Sequence, residues 1–212
     1  MLFVSRKLTA DSPLRAWAVR RGMAVADRSL LRFEAVPFDA PADADWWFFY
    51  SSRAVRFVEH IPPGVRTAAM GGGTARALLD RRQPVDFCGA GSPEVVAENF
   101  LAVSEGQRVF FPRARESRLS VQRALGERLE VMDAVCYANL PAPPDRPVDA
   151  AVYIFTSPMN VAAYLDHYAL PAGARVLAIG PSTGGALLER NIDCEWPDYP
   201  SEDALVELLE RS

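Results

Sequence analysis

Histidine and cysteine are scarce in this chain, and their scarcity removes several kinds of chemistry. Among 212 residues there are two histidines and three cysteines. His60 and His167 stand near no plausible serine or cysteine partner in sequence, which argues against a Ser-His-Asp triad. Cys88, Cys136 and Cys194 are odd in number and not at metal-ligand spacing, so neither a disulfide framework nor a metal cluster is expected. That usage fits a reducing compartment, and the chain is expected to be cytoplasmic. No apolar run approaches the ~20 residues that span a bilayer, and Met1–Arg6 lacks the charged region and cleavage site of a signal peptide. Excess positive charge is missing as well. A net charge of −4 argues against a nucleic-acid partner held by phosphate neutralisation. Gly71-Gly72-Gly73-Thr74 has no P-loop lysine, and no G-x-G-x-x-G follows a first strand, so nucleotide binding is not expected.

What the chain does have is an internal repeat. Phe49-Tyr50-Ser51-Ser52-Arg53-Ala54-Val55 returns as Phe155-Thr156-Ser157-Pro158-Met159-Asn160-Val161. Gly71-Gly72-Gly73-Thr74 with Ala77-Leu78-Leu79 returns as Gly180-Pro181-Ser182-Thr183 with Ala186-Leu187-Leu188. Ser92 follows Thr74 at the distance by which Ser201 follows Thr183, and Leu2–Arg6 resembles Val109–Arg113. Self-similarity of this period points to paired copies of one unit. Two copies suggest two similar lobes facing each other, with a site between them.

Short apolar runs alternate with amphipathic stretches, the pattern of an α/β fold with a mainly parallel sheet. Strands are expected at Leu2–Ser5, Val25–Phe38 (with a bend), Trp46–Tyr50, Thr67–Met70 and Val85–Phe87. A second series is expected at Arg108–Phe111, Glu130–Tyr137, Ala151–Phe155, Arg175–Ile179 and Ile192–Glu195. Ser12-Pro13 and Ser92-Pro93 place a capping serine before a proline at the first helical position, and Ser201-Glu202-Asp203 opens the last helix. Linkers are expected at 34–45 and at 139–147, where prolines cluster. They leave pieces 1–36, 45–104, 107–138 and 150–212. The first and third are βαβ units too small to bury a sheet face alone. Each must dock on one of the larger pieces, in tandem or in crossed pairing, and the residues leave both pairings open.

Four turns follow strands and open helices: Ser51-Ser52, Gly71–Thr74, Ser157-Pro158 and Gly180–Thr183. Ligands of open α/β sheets bind at the carboxyl ends of strands, and helix N-termini favour carboxylate or phosphate. A single serine or threonine in such a turn is ordinarily a helix cap; four turns in matched pairs point to an anion-binding cleft. Arg53, Arg76 and Arg118 lie at or one turn beyond these or similar loops, where solvated surface is the default. His60 is read as the end of a helix, Trp46–Phe49 as core, and Tyr137 as a packing residue unless it faces the cleft, where its phenol could donate a proton. The residues alone also fit a non-catalytic bilobal binding protein for a carboxylated or phosphorylated metabolite.

The strand-then-S-P-x-x-V pair, the G-x-x-T-A-x-A-L turn and the G-P-S-T-x-x-A-L turn resemble uroporphyrinogen-III synthase, along the whole chain and in the family's order. Phe155–Pro158 with Ile179–Thr183 is the most specific part. The resemblance implies two α/β lobes, each a mainly parallel sheet flanked by helices, joined by a two-stranded antiparallel linker. It also implies crossed pairing: a first lobe of residues 1–33 and 146–212, a second of 39–135, and linker strands at 34–38 and 136–145. The implied enzyme is a monomeric lyase needing no cofactor and no metal. It dehydrates and cyclises hydroxymethylbilane, a linear tetrapyrrole with eight carboxylates, and inverts ring D to give uroporphyrinogen III. Tyr137 maps onto the family's tyrosine beside the linker, and Thr74 and Thr183 onto its two threonines. Ser51, Ser157, Pro158, Gly180, Ser182 and Arg118 complete the expected substrate-binding set. Three departures stand out: Ser52 where proline is usual, Ser5-Arg6-Lys7 in place of T-R-P, and an arginine loop, Pro112–Leu119, without its glycines or its final acid.

Overall fold

The strongest apolar runs became the centres of two sheets. The computed structural model describes residues 1–211, so Ser212, the end of the first expected lobe, lies outside the described residues. The chain divides into two compact units, one of Met1–Arg32 with Leu140–Ser212, the other of Phe33–Asn139.

In the first unit four strands run in the order β10-β9-β1-β2, from Arg175–Ala178, Val152–Phe155, Leu2–Val4 and Val25–Asp27. All three pairings are parallel. Val152–Phe155 reads as an unbroken hydrophobic run because both faces of β9 are covered. Val152 and Ile154 face the helices α1 (Pro13–Arg20) and α8 (Glu202–Glu210), with Leu14, Trp17, Leu205 and Leu209. Tyr153 and Phe155 face α6 (Pro158–Leu165) and α7 (Pro181–Leu188), with Val161, Tyr164 and Leu187.

The second unit repeats the scheme around β4, Trp46–Phe49. Its sheet is ordered β3-β8-β7-β4-β5-β6, the others being Leu31–Ala35, Glu130–Pro141, Arg108–Ala114, Arg66–Ala69 and Phe87–Cys88. Trp47 and Phe49 pack towards α2 (Ser52–Phe57) and α3 (Gly72–Asp80). Trp46 and Phe48 pack towards α4 (Pro93–Ser104) and α5 (Ser120–Leu125), meeting Phe100 and Phe111. Trp46 and Phe48 meet Phe100 edge to face at 5.2 and 5.0 Å, a geometry that adds to area burial. Trp46–Phe49 is core, as its sequence implies.

Several boundaries differ from expectation. The expected bent strand Val25–Phe38 is two strands, β2 and β3, in different sheets, separated by Arg28–Leu30. The break falls at the polar run Asp27-Arg28-Ser29, which in the sequence reads as a bend within one strand. β8 runs to Pro141, into the proline-rich linker, because an edge region tolerates prolines that need no ladder donor. Val36 N–H donates to Cys136 O and Ala142 N–H to Leu30 O, the descending register of an antiparallel β3–β8 pair. The expected strand Ile192–Glu195 shrinks to one parallel bridge, Leu177 with Glu195. His60 does not end a helix: α2 stops at Phe57.

All three cysteines are free: Cys88 is exposed, Cys194 half-buried and Cys136 buried. Burial pushes the Cys136 thiol up to about 11 and also raises Cys194. A raised pKa keeps a thiol protonated and unreactive, since the thiolate is the nucleophile. At pH 8 a chromogenic disulfide should therefore titrate one fast thiol in the native protein, lost in Cys88→Ser, and three after denaturation.

Candidate functional site

Among the parallel strands of each sheet the chain order reverses once, and such reversals open a crevice at the carboxyl ends of the strands. In the first unit the reversal falls between β1 and β9, in the second between β4 and β7. The expected residues sit at or beside these points.

In the second unit Ser51 ends the β4 turn and caps α2, its Oγ accepting from Ala54 N–H at 3.2 Å. The same oxygen lies 3.2 Å from the phenol oxygen of Tyr137. Tyr137 comes from β8, paired with Ala114 where β7 shifts register, and is 5% exposed. Its ring stacks on Phe57 at 5.1 Å and meets Phe33 edge-on at 6.4 Å. Sequence reasoning reached Tyr137 but not this aromatic clamp. Arg53, for which solvated surface is the default, places its guanidinium 3.9 Å from the Phe33 ring centre, a cation–π contact.

Thr74 lies on the neighbouring β5 turn, at the third position of α3. Gly71 gives α3 no side-chain cap. Thr74 is 7% exposed, and among the described residues its hydroxyl has no hydrogen-bond partner. Arg118 lies on the loop between β7 and α5, exposed and unpaired among the described residues. In that glycine-less loop Leu119 takes a left-handed backbone, φ 55°, a conformation that costs an L-residue about 1–2 kcal/mol.

The first unit mirrors this. Ser157 caps α6, with Pro158 at the first helical position, and accepts from Asn160 N–H at 3.2 Å and Asn160 Nδ2 at 2.8 Å. Asn160, buried, accepts in turn from Leu30 N–H at 3.0 Å. Gly180 opens α7 without a side-chain cap, followed by Pro181, Ser182 and Thr183. Thr183 is 1% exposed and its hydroxyl, like that of Thr74, is unpartnered among the described residues. Because β9 and β10 are adjacent, the Ser157 and Gly180 turns share one sheet edge. Ser5, at the end of β1, was not anticipated. Its Oγ accepts from Thr156 N–H at 2.8 Å, tying the two strand ends at the reversal.

The cap-or-ligand question raised by the sequence thus divides by position in the turn. Ser51 and Ser157 are helix caps; Thr74 and Thr183 are not, and their turns present N–H groups with no side-chain acceptor. No cluster of three metal-ligating side chains occurs among the described residues, and no helix among them is long and apolar enough to cross a membrane.

Two open α/β sheets with matched strand-to-helix turns at their carboxyl edges, and a tyrosine held at the reversal of one, define a two-unit α/β protein. A family model of uroporphyrinogen-III synthase HemD matches residues 14–207. The chain belongs to the uroporphyrinogen-III synthase family, lyases of tetrapyrrole biosynthesis. Its fold is that of solved members. It superposes on the uroporphyrinogen-III synthetase of Helicobacter pylori with a TM-score of 0.73 at 19% identity, covering 99% of this chain and 98% of that one. A mutant uroporphyrinogen III synthase of Thermus thermophilus gives 0.54 at 18%, covering 99% and 97%. No curated protein matches the sequence significantly.

Proposed function

We propose that this chain closes hydroxymethylbilane to uroporphyrinogen III, with Tyr137 assisting loss of hydroxide and the paired turns holding the carboxylates. The observation that carries the role of Tyr137 is its contact with Ser51. Ser51 Oγ already accepts from Ala54 N–H, so its own proton is free to be donated to the phenol oxygen. That leaves the phenol proton for the substrate. As the C–O bond of the hydroxymethyl group breaks, this proton passes to the departing oxygen to make water, and the Ser51 hydroxyl stabilises the phenolate left behind. The Phe57–Phe33 clamp fixes the ring during the transfer. Geometry does the rest, since holding a flexible chain near closure supplies a large part of a rate enhancement.

Gly180, Ser182 and Thr183 with Ser157 and Pro158 in one unit, and Thr74 with Ser51 and Arg118 in the other, would hold acetate and propionate groups. Backbone N–H groups at helix N-termini suit carboxylates. The reading includes no cofactor, and a monomer in the cytoplasm. Thr74→Ala and Thr183→Ala should each weaken substrate binding by about 0.5–2 kcal/mol, the worth of one hydrogen bond, seen as a raised KM with little change in melting. Because neither hydroxyl caps its helix, unchanged KM in both variants would remove them from the site.

A further inference from the structure

The loop Trp196-Pro197-Asp198-Tyr199-Pro200 runs beside the carboxyl edge of the first unit's sheet. It leaves the sheet at Glu195, bridged to Leu177, and reaches the Gly180 turn, where Pro200 lies 3.7 Å from the position a Cβ of Gly180 would take. Trp196 is seated on α7. A Cβ on Gly184 would stand 2.3–2.9 Å from three atoms of the indole, so the ring lies directly on the helix backbone. Even so, Trp196 is 37% exposed and Tyr199 57%. Single exposed aromatics are ordinary. Here two share a five-residue loop beside an N–H-rich turn, and both line a small groove of about 70 Å³.

We infer that Trp196 and Tyr199 seat one pyrrole ring of the tetrapyrrole, next to the Gly180–Thr183 turn that takes carboxylates of that ring or its neighbour. The inference rests on the proposed substrate. Asp198 and Glu207 also line the groove, with Arg211. Two acids against one base disfavour a carboxylate there and can accept from a pyrrole N–H. The ring belongs in the groove, its acids at the turn. Tryptophan and tyrosine suit such a ligand because each offers a large apolar face with a polar tip.

Trp196 reports on its own contacts, since Trp17, Trp46 and Trp47 are 5%, 2% and 0% exposed. The test is iodide quenching of intrinsic fluorescence in the intact protein, with and without saturating uroporphyrinogen III. The probe is kept anaerobic and reduced so that no porphyrin absorbs the emission. Saturation is established separately by equilibrium dialysis. The expected result is at least a threefold fall in the iodide quenching slope on binding, absent in Trp196→Phe, whose unliganded slope is already low. Tyr199→Ala should raise KM about tenfold and lower kcat far less, with Tyr199→Phe restoring most of the loss. An unchanged slope in protein shown to bind the product would overturn the seat, as would wild-type KM in Tyr199→Ala. Type III product from the same preparation keeps the functional reading standing in that event, whereas its absence condemns that reading independently.

Discussion

Tyr137→Phe is expected to lower kcat ten- to a hundredfold, to keep the product type III and to melt close to the wild type. The rate loss is the low end of what a positioned acid contributes, because the substrate already tends to lose hydroxide unaided. Melting should hold because the ring stays between Phe57 and Phe33, and one hydrogen bond to Ser51 is worth about 1 kcal/mol. Ser51 retains its cap to Ala54 in this variant. Turnover under single-turnover conditions, product isomer and a melting curve together separate the possibilities. A wild-type rate would make Tyr137 a packing residue, a large fall in melting temperature a structural one, and a switch to type I product a residue that steers ring D.

Gly89→Ala should be the most damaging small substitution in the second unit. Gly89 follows β6, and its N–H donates to Ala69 O at 2.8 Å. A Cβ there would meet the carbonyl oxygen of Met70 at 2.7 Å and the two Val96 methyls at 2.7 and 2.9 Å. A carbonyl held at a strand end cannot swing aside as a side-chain tip can. Overpacking of this kind costs about 1–3 kcal/mol, or several degrees of melting at roughly 2–4 °C per kcal/mol for a chain of this size. Met70 leads directly into Gly71–Thr74, so KM should rise as well. The contrast is Gly185→Ala in α7, where nothing lies within 4 Å of the new Cβ. It should be neutral, or stabilising by up to about 1 kcal/mol of helix propensity.

The residues that declared the fold were those with a single physical solution. Val152–Phe155 and Trp46–Phe49 are apolar on both faces, which only a central parallel strand accommodates. Ser12-Pro13, Ser92-Pro93 and Ser157-Pro158 are cap-and-start pairs, and each opens a helix. The polar run Asp27-Arg28-Ser29 marks the break at Arg28–Leu30 but reads equally as a bend, and Ile192–Glu195 reads as a strand although it gains only one bridge. Which βαβ piece docks on which larger piece is beyond periodicity, which reports the apolar face of a piece and not its partner; only the resemblance to a family spoke to it. At the site, the turns were legible from the repeat. The division of labour within them was not, because whether a hydroxyl caps a helix depends on the cap position, which the residue type does not specify. Ser51 and Ser157 occupy that position, and Thr74 and Thr183 sit three residues beyond it. The contact of Ser51 with Tyr137 joins residues far apart in the chain and had no sequence signal at all.

The most direct test of the central claim is the isomer composition of the product. Purified protein is given hydroxymethylbilane, the products are oxidised, and the resulting porphyrins are separated by chromatography. The account predicts uroporphyrin III as the dominant isomer, formed faster than spontaneous closure and in proportion to enzyme. Uroporphyrin I at the spontaneous rate, from protein with a native melting transition, would contradict it.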